Sequence, residues 1–181
     1  MWKINRKNYD DAKEIFIKYN GSHFQMEREF EYSKYKSYRV PKKLEQTWIY
    51  ELEKIFFDKL EIEFDENTIV DILIDLKQII LQYKDEKGLS LIVKYANKNI
   101  VRFDSFTKLM LAEIILHIIN KLNISSTQID TINFARTVLE DICSQPIKIA
   151  ESHFKNGCIP EYMSEDTLID RAKKEIENWV D

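Results

Sequence analysis

Residues 67–84 read NTIVDILIDLKQIILQYK, and this stretch gives the strongest indication of the fold. Its apolar side chains recur at i, i+3, i+4 and i+7, which is the period of one face of an α-helix. Asp71 and Asp75 lie four residues apart on the polar side, so we expect them to face water rather than bind magnesium. The stretch therefore predicts a long amphipathic helix. Its buried face would consist of Ile69, Ile72, Leu73, Leu76, Ile79, Ile80 and Tyr83.

A second long helix is predicted to begin at Asp104 or Ser105 and to end near Leu122. It is apolar around most of its circumference, as is typical of a helix buried on several sides. We therefore expect it to be the central helix and the 67–84 helix to pack on it. Its narrow polar stripe consists of Glu113, His117 and Asn120, whose spacing places them on one face.

That polar stripe has two interpretations. A glutamate and a histidine four residues apart could supply two metal ligands, but a metal site needs three or four. No second helix repeats the spacing that a di-iron bundle requires. We therefore expect the stripe to be the solvent-facing side of the central helix.

Helix-start and helix-stop signals divide the rest of the chain. A first helix is predicted from about Asn8, its N-cap, to Tyr19, with a stop at Gly21. Pro41 suits the first position of a helix that reaches about Leu60. Further predictions are a short helix within 22–30, a loop or irregular helix over 32–40, a short helix capped by Ser90, a helix that starts at Ser125 or Ser126 and is broken by Pro146, and a last helix from Ser164.

The last two long helices are expected to bury apolar stripes of their own. The first would bury Ile129, Ile132, Leu139, Ile142 and Cys143, and the second would bury Leu168, Ala172, Ile176 and Trp179. The chain has 181 residues with only three glycines and three prolines, which disfavours all-β folds and glycine-rich phosphate loops. We predict an all-α fold, an irregular bundle of about seven to eight helices, in one domain that spans residues 1–181.

Composition and charge exclude several classes of protein. Hydrophobic residues make up 44% and charged residues 32% of the chain, as in a globular protein rather than a disordered one. No run of about 18 apolar residues exists, so no membrane span is predicted. The first residues carry no apolar signal segment, so we expect a cytoplasmic protein. The sequence contains no P-loop, no dinucleotide-binding glycine pattern and no zinc-protease or serine-hydrolase motif.

The most unusual segment is residues 32–43, YSKYKSYRVPKK. It holds five cations and no acid, so it contributes +5 to a chain whose net charge is −4. An anionic partner would be attracted to this segment and repelled elsewhere. Tyrosine rings beside cations could fill pockets of a protein or stack on bases. Alternatively, the segment is an exposed connector whose cations pair with nearby acids such as Glu27, Glu29 and Glu31.

Cys143, His153 and Cys158 lie close together in the sequence, but their spacing fits no compact zinc pattern. No third group is available to orient a Cys–His catalytic pair. We expect Cys143 to be buried on the core face, His153 to lie on the surface, and both cysteines to be free thiols. We accordingly predict no catalytic residue, no metal and no cofactor.

These observations favour a non-enzymatic protein-binding or regulatory domain. An acidic bacterial protein of this size could neutralise or regulate a basic partner, for example a toxin. We expect Tyr35, Lys36, Tyr38 and Arg39 to contact the partner, since tyrosine and arginine often dominate binding energy. The alternatives are a nucleic-acid-associated accessory protein that uses residues 32–43, and an enzyme whose site is assembled from scattered residues. Nucleic-acid binding through five cations would weaken steeply with salt, with a log–log slope of up to about −4.

Overall fold

The computed structural model describes residues 6–123 and 129–179, and the side chains of residues 9–123 and 129–179. Within these ranges the chain forms nine α-helices and no β-strand, which confirms the predicted all-α class. Seven of these helices have at least seven residues. They are α1 (Arg6–Lys18), α2 (His23–Arg28), α3 (Tyr32–Ser37), α4 (Lys42–Ile62), α5 (Glu66–Tyr83), α6 (Glu86–Asn99), α7 (Ser105–Leu122), α8 (Ile129–Ser144) and α9 (Glu165–Asn178). None of the described helices is both long enough and apolar enough to cross a membrane.

The contacts of the chain group it into two compact units. Unit 1 comprises residues 1–62 and holds α1–α4, whereas unit 2 comprises residues 63–181 and holds α5–α9. Unit 1 carries 13 Lys and Arg against 11 Asp and Glu, and unit 2 carries 14 against 20. The acidic excess of the chain therefore lies in unit 2. The expectation of one domain over residues 1–181 stays a prediction.

Unit 2 is built around α7, which packs against α5, α6, α8 and α9. Eleven of the 18 residues of α7 are buried, so the predicted central helix is confirmed. The predicted packing of α5 on α7 is also confirmed. Of the predicted stripe on α5, every member except Tyr83 is buried, and Leu73, Leu76 and Ile80 are fully buried.

Side-chain caps fix the starts of α5, α7 and α9 in unit 2. Asp65, Asp104 and Ser164 each accept a hydrogen bond from the backbone N–H three residues further on, as N-caps do. The C-terminal end of α8 is at Ser144, before Pro146, as predicted. The predicted start of α8 at Ser125 or Ser126 lies outside the described residues.

Two predicted helix starts are wrong. Asp85, not Ser90, caps α6, because its carboxylate accepts from the N–H of Lys87 and the left-handed Lys84 has already ended α5. Gly88, two residues before Ser90, lies buried inside α6. In α1 the helix has already begun at Arg6, so Asn8 lies within it and is not its N-cap.

The buried faces of α8 and α9 differ in part from the prediction. In α8, Leu139 and Ile142 are buried, but Ile129 is 57% exposed because it lies off the face that continues through Ala135 and Val138. Ile132 and Cys143 are half-buried. In α9, Leu168 and Ala172 are fully buried, whereas Ile176 and Trp179 are half-buried.

The core of unit 1 is centred on Phe16 of α1, whose ring centroid lies 5.6 Å from that of Trp48 on α4 and 6.1 Å from that of Tyr35 on α3. Segment 32–40, predicted as a loop or irregular helix, begins with the short regular helix α3. Its single buried side chain, Tyr35, gives too little apolar repeat for a periodicity to show in the sequence.

Candidate functional site

Four residues were predicted to contact a partner, and their side chains differ from one another in exposure. Tyr35 is only 5% exposed, so its side chain is part of the core of unit 1 and unavailable on the surface. Its hydroxyl donates a hydrogen bond of 2.5 Å to Oε1 of Glu45. Lys36 and Arg39 are exposed and Tyr38 is half-buried. The physical reason for the difference is that an aromatic ring gains more by burial beside Phe16 than it would in water.

Polar and aromatic contacts with His23 and Glu45 also hold α3 in place. Nε2 of His23 lies 3.3 Å from the same Glu45 oxygen, and the His23 ring lies 5.2 Å from that of Tyr32 and 5.6 Å from that of Tyr35. The hydrogen bond from His23, with that from Tyr35, holds the pKa of the Glu45 carboxyl below its ordinary value, although burial opposes the shift. Tyr32 and Tyr35 thus attach α3 to its unit.

Phe30, not predicted to bind a partner, is the most exposed large apolar side chain among the described residues of unit 1, at 93%. It has a left-handed backbone, with φ of 60°, directly after the C-cap residue of α2. The N–H of Phe30 bonds to the carbonyl of Glu27 and that of Glu31 to the carbonyl of Met26, which is a Schellman turn. Glycine is usual at this position, because other residues are strained there by roughly 1–2 kcal/mol. A strained backbone therefore presents an apolar ring to water.

Three exposed cations follow Phe30 in the chain. They are Lys34 and Lys36 within α3 and Arg39 after it. Arg39 also has a left-handed backbone, with φ of 50°. Glu31 lies 3.7 Å from Nζ of Lys18 and 3.9 Å from Nζ of Lys34, so acids neutralise part of this charge. We call the exposed side chains of Phe30, Lys34, Lys36 and Arg39 the Phe30 surface.

The polar stripe of α7 borders a groove of unit 2 with a volume of about 670 Å³. Glu113 in this groove accepts two hydrogen bonds from the guanidinium of Arg171 on α9, at 3.0 and 2.7 Å. Burial, together with the charges of Lys77 and Lys121, lowers the pKa of His117. Two members of the stripe, His117 and Asn120, are exposed, as expected of the solvent-facing side of the central helix, whereas Glu113 is half-buried and paired with Arg171.

A buried polar cluster lies elsewhere in unit 2, at the first turn of α5, the N-cap of α7 and the 3-10 turn Glu151–His153. It consists of Glu66, Asp104 and His153, which are 8%, 8% and 2% exposed. One ligand atom from each lies within 4.8 Å of the other two, and no other such group of His, Cys, Asp or Glu exists among the described residues. We call these three residues the Glu66 cluster. The predicted surface position of His153 is therefore wrong.

Hydrogen bonds orient two members of the Glu66 cluster. Asp104 accepts from the N–H of Thr107 through Oδ1 and from the N–H of Ala150 through Oδ2, both at 2.7 Å. Nδ1 of His153 lies 2.6 Å from Oδ1 of Asn67. Burial, and to a lesser degree the neighbouring Asp104, raises the pKa of Glu66, although hydrogen bonds from Thr107 and from the N–H of Asp104 oppose the shift. The members come from distant parts of the sequence, and no local spacing indicates them.

The cysteines show no arrangement for nucleophilic chemistry. Cys143 is half-buried and Cys158 is exposed, and both are free thiols, as predicted. Burial raises the pKa of Cys143, which disfavours the reactive thiolate. Cys143 was predicted to be buried on the core face, and it is only half-buried.

Comparisons with known proteins add no functional information. No protein-family model, no curated protein and no solved structure matches this chain.

Proposed function

We propose that this chain is a non-enzymatic protein-binding domain that contacts its partner through the Phe30 surface. The observation that carries the proposal is Phe30 itself, an aromatic side chain 93% exposed on a left-handed backbone. The left-handed backbone costs stability and the exposed ring contributes none, and strained residues that persist tend to lie at functional sites. Aromatic and arginine side chains are among the residue types that dominate protein interfaces, and in the sequence Phe30 lies within nine residues of Lys34, Lys36 and Arg39.

The exposed cations of the Phe30 surface, rather than the charge of unit 1 as a whole, support an acidic protein surface as the partner, in place of the basic partner suggested by the net charge of the chain. Lys34, Lys36 and Arg39 would pair with carboxylates around a pocket that takes the ring of Phe30. Nucleic acid is less favoured, because unit 1 as a whole carries only two more cations than anions and Glu31 lies beside Lys34. The two free cysteines support a reducing, cytoplasmic location.

Charge reversal on the Phe30 surface tests the proposal. We expect the Lys36→Glu/Arg39→Glu variant to lose most of the partner that wild-type protein captures from a lysate of the native cell. The matched control is Lys173→Glu/Lys174→Glu, which reverses two exposed cations of α9 in unit 2 and should leave capture intact. Quantitative mass spectrometry of the captured proteins, with and without nuclease, is the measurement.

Nuclease treatment separates the two classes of partner. Protein capture that survives nuclease and falls only in the Phe30-surface variant supports the proposal. Capture that disappears with nuclease, together with a log–log salt slope approaching about −4, would instead identify a nucleic-acid-binding surface. Equal capture by the variant and the wild type would place the binding surface elsewhere.

A further inference from the structure

We propose that Glu66, Asp104 and His153 form a buried Zn²⁺ site within unit 2. This proposal reverses the expectation from sequence that the chain binds no metal. It is independent of the Phe30 surface, which belongs to unit 1.

Hydrogen bonds around Asn67 fix the tautomer of His153. Asn67 presents its carbonyl oxygen to Nδ1, and its amide nitrogen donates to the backbone carbonyl of Ser152, which fixes the orientation of the amide. Because a carbonyl oxygen can only accept, Nδ1 carries the hydrogen. In the neutral ring Nε2 then holds a free lone pair. Histidines that bind metal are commonly oriented in this way, through a hydrogen bond from the other ring nitrogen.

Nε2 of His153 and Oε2 of Glu66 are both buried without a hydrogen-bond partner among the described residues. Nε2 lies 3.3 Å from Oδ2 of Asp104. Nε2 and Oε2 are therefore buried acceptors without a hydrogen bond, although the Thr107 hydroxyl lies near Glu66 and the N–H of Asp104 donates to the other oxygen of that carboxylate. Two buried carboxylates beside a neutral imidazole still require protons or a cation to neutralise their charge.

The geometry and charge of the cluster suit Zn²⁺. Zinc–ligand distances of about 2.1 Å place tetrahedral ligands about 3.4 Å apart, close to the observed separation of Nε2 and Oδ2. Each carboxylate oxygen has two lone pairs, so Oδ2 of Asp104 can accept from Ala150 and still face a cation. One imidazole and two carboxylates are a donor set that zinc accepts, and the ion would neutralise two buried negative charges. A fourth ligand, such as water, would complete the coordination.

The test is Zn²⁺ binding to the full, tag-free chain after treatment with a chelator, measured by isothermal titration calorimetry. We expect wild-type protein to bind one equivalent and to melt at a higher temperature with Zn²⁺. Glu66→Gln and His153→Gln should each weaken the affinity at least about 100-fold, and Asn67→Ala, which affects only the orientation of His153, by about 10- to 100-fold. His117→Gln removes another histidine of unit 2 outside the cluster and should retain full binding.

Two results would overturn the proposal. The first is a wild-type chain that binds no Zn²⁺ at micromolar concentration, which would mean that protons satisfy the cluster. The second is unchanged stoichiometry and affinity in Glu66→Gln, which would place the ion elsewhere. Circular dichroism of each variant identifies any that does not fold. If His153→Gln is one of these, the nearly isosteric Glu66→Gln variant decides the question.

Discussion

Gly21 and Phe30 have similar left-handed backbones for different reasons. At Gly21, with φ of 69°, an added Cβ would lie 2.9 Å from the ring of Phe16, so both the conformation and the space require glycine. At Phe30 the same backbone region carries a large side chain that points into water. Asparagine, which tolerates this region better than most residues, is found at two comparable positions, Asn20 and Asn123. Lys84 and Arg39 share this backbone region, but they have charged side chains, whereas Phe30 exposes an apolar ring there.

Glu45 makes the stability of unit 1 depend on pH. Its folded-state pKa is lowered, chiefly by the hydrogen bond from His23, so its contribution is fully present above its ordinary pKa of 4.5 and is lost as the pH falls through the lower folded value. Glu45→Gln keeps an acceptor for Tyr35 and His23 but cannot titrate. We expect the unfolding free energy of this variant to fall less than that of the wild type below about pH 4.5.

Chemical denaturation at a series of pH values between neutrality and the acid limit of folding measures this difference. Glu27→Gln, a change at an exposed glutamate of α2, is the matched control and should follow the wild-type curve. Parallel curves for Glu45→Gln and the wild type would contradict the assigned role of this carboxylate.

The exposure of a side chain was predictable from sequence only where the residue type allows a single environment. Lys36 and Arg39 were expected to be exposed and are exposed, because burying an unpaired cation is costly. The burial of Tyr35 was not predicted, because a tyrosine suits both a core and an interface and its sequence neighbours do not show the contact with Phe16.

Among the helices, those with local signals were predicted well. Asp104 and Pro146 mark helix ends through their own backbone chemistry, and the face of α5 repeats over five turns. The start of α6 was misplaced because Gly88 and Ser90 resemble turn residues, whereas a buried backbone position favours glycine inside the helix. α3 is too short for periodicity to indicate it.

The packing of α5 on α7 predicts the effect of a core truncation. Leu76 is fully buried, so Leu76→Ala should lower the free energy of unfolding by roughly 2–5 kcal/mol, through lost apolar burial and the cavity left behind. Leu91→Ala, at a leucine of α6 that is 42% exposed, is the matched control and should cost less. Urea denaturation measures both. A cost near zero for Leu76→Ala would contradict its place in the core.

For the whole molecule, long-range contacts bring together site residues that the sequence alone does not connect. His153 and Asn67 are 86 residues apart in the chain, yet they are joined by a hydrogen bond of 2.6 Å in unit 2. The charge asymmetry was visible only as a basic segment in an acidic chain, and the division into units places the acidic excess in unit 2. Both candidate sites thus depend on tertiary structure, although only the Phe30 surface overlaps the segment predicted to bind a partner.

In the proposed function Phe30 is retained for binding at a cost to folding, and replacing it with glycine separates the two effects. Phe30→Gly relieves the left-handed strain, while Phe30→Ala removes the ring but keeps that strain. Phe64→Ala, which removes a ring 78% exposed in unit 2, is the control.

The decisive measurement is capture of the native partner by Phe30→Gly, with the free energy of unfolding determined on the same preparation. We predict that capture is lost while the unfolding free energy rises by about 1 kcal/mol, because the strain disappears. Phe30→Ala should also lose capture without this gain, and Phe64→Ala should capture normally. Undiminished capture by a folded Phe30→Gly variant would contradict the proposed function.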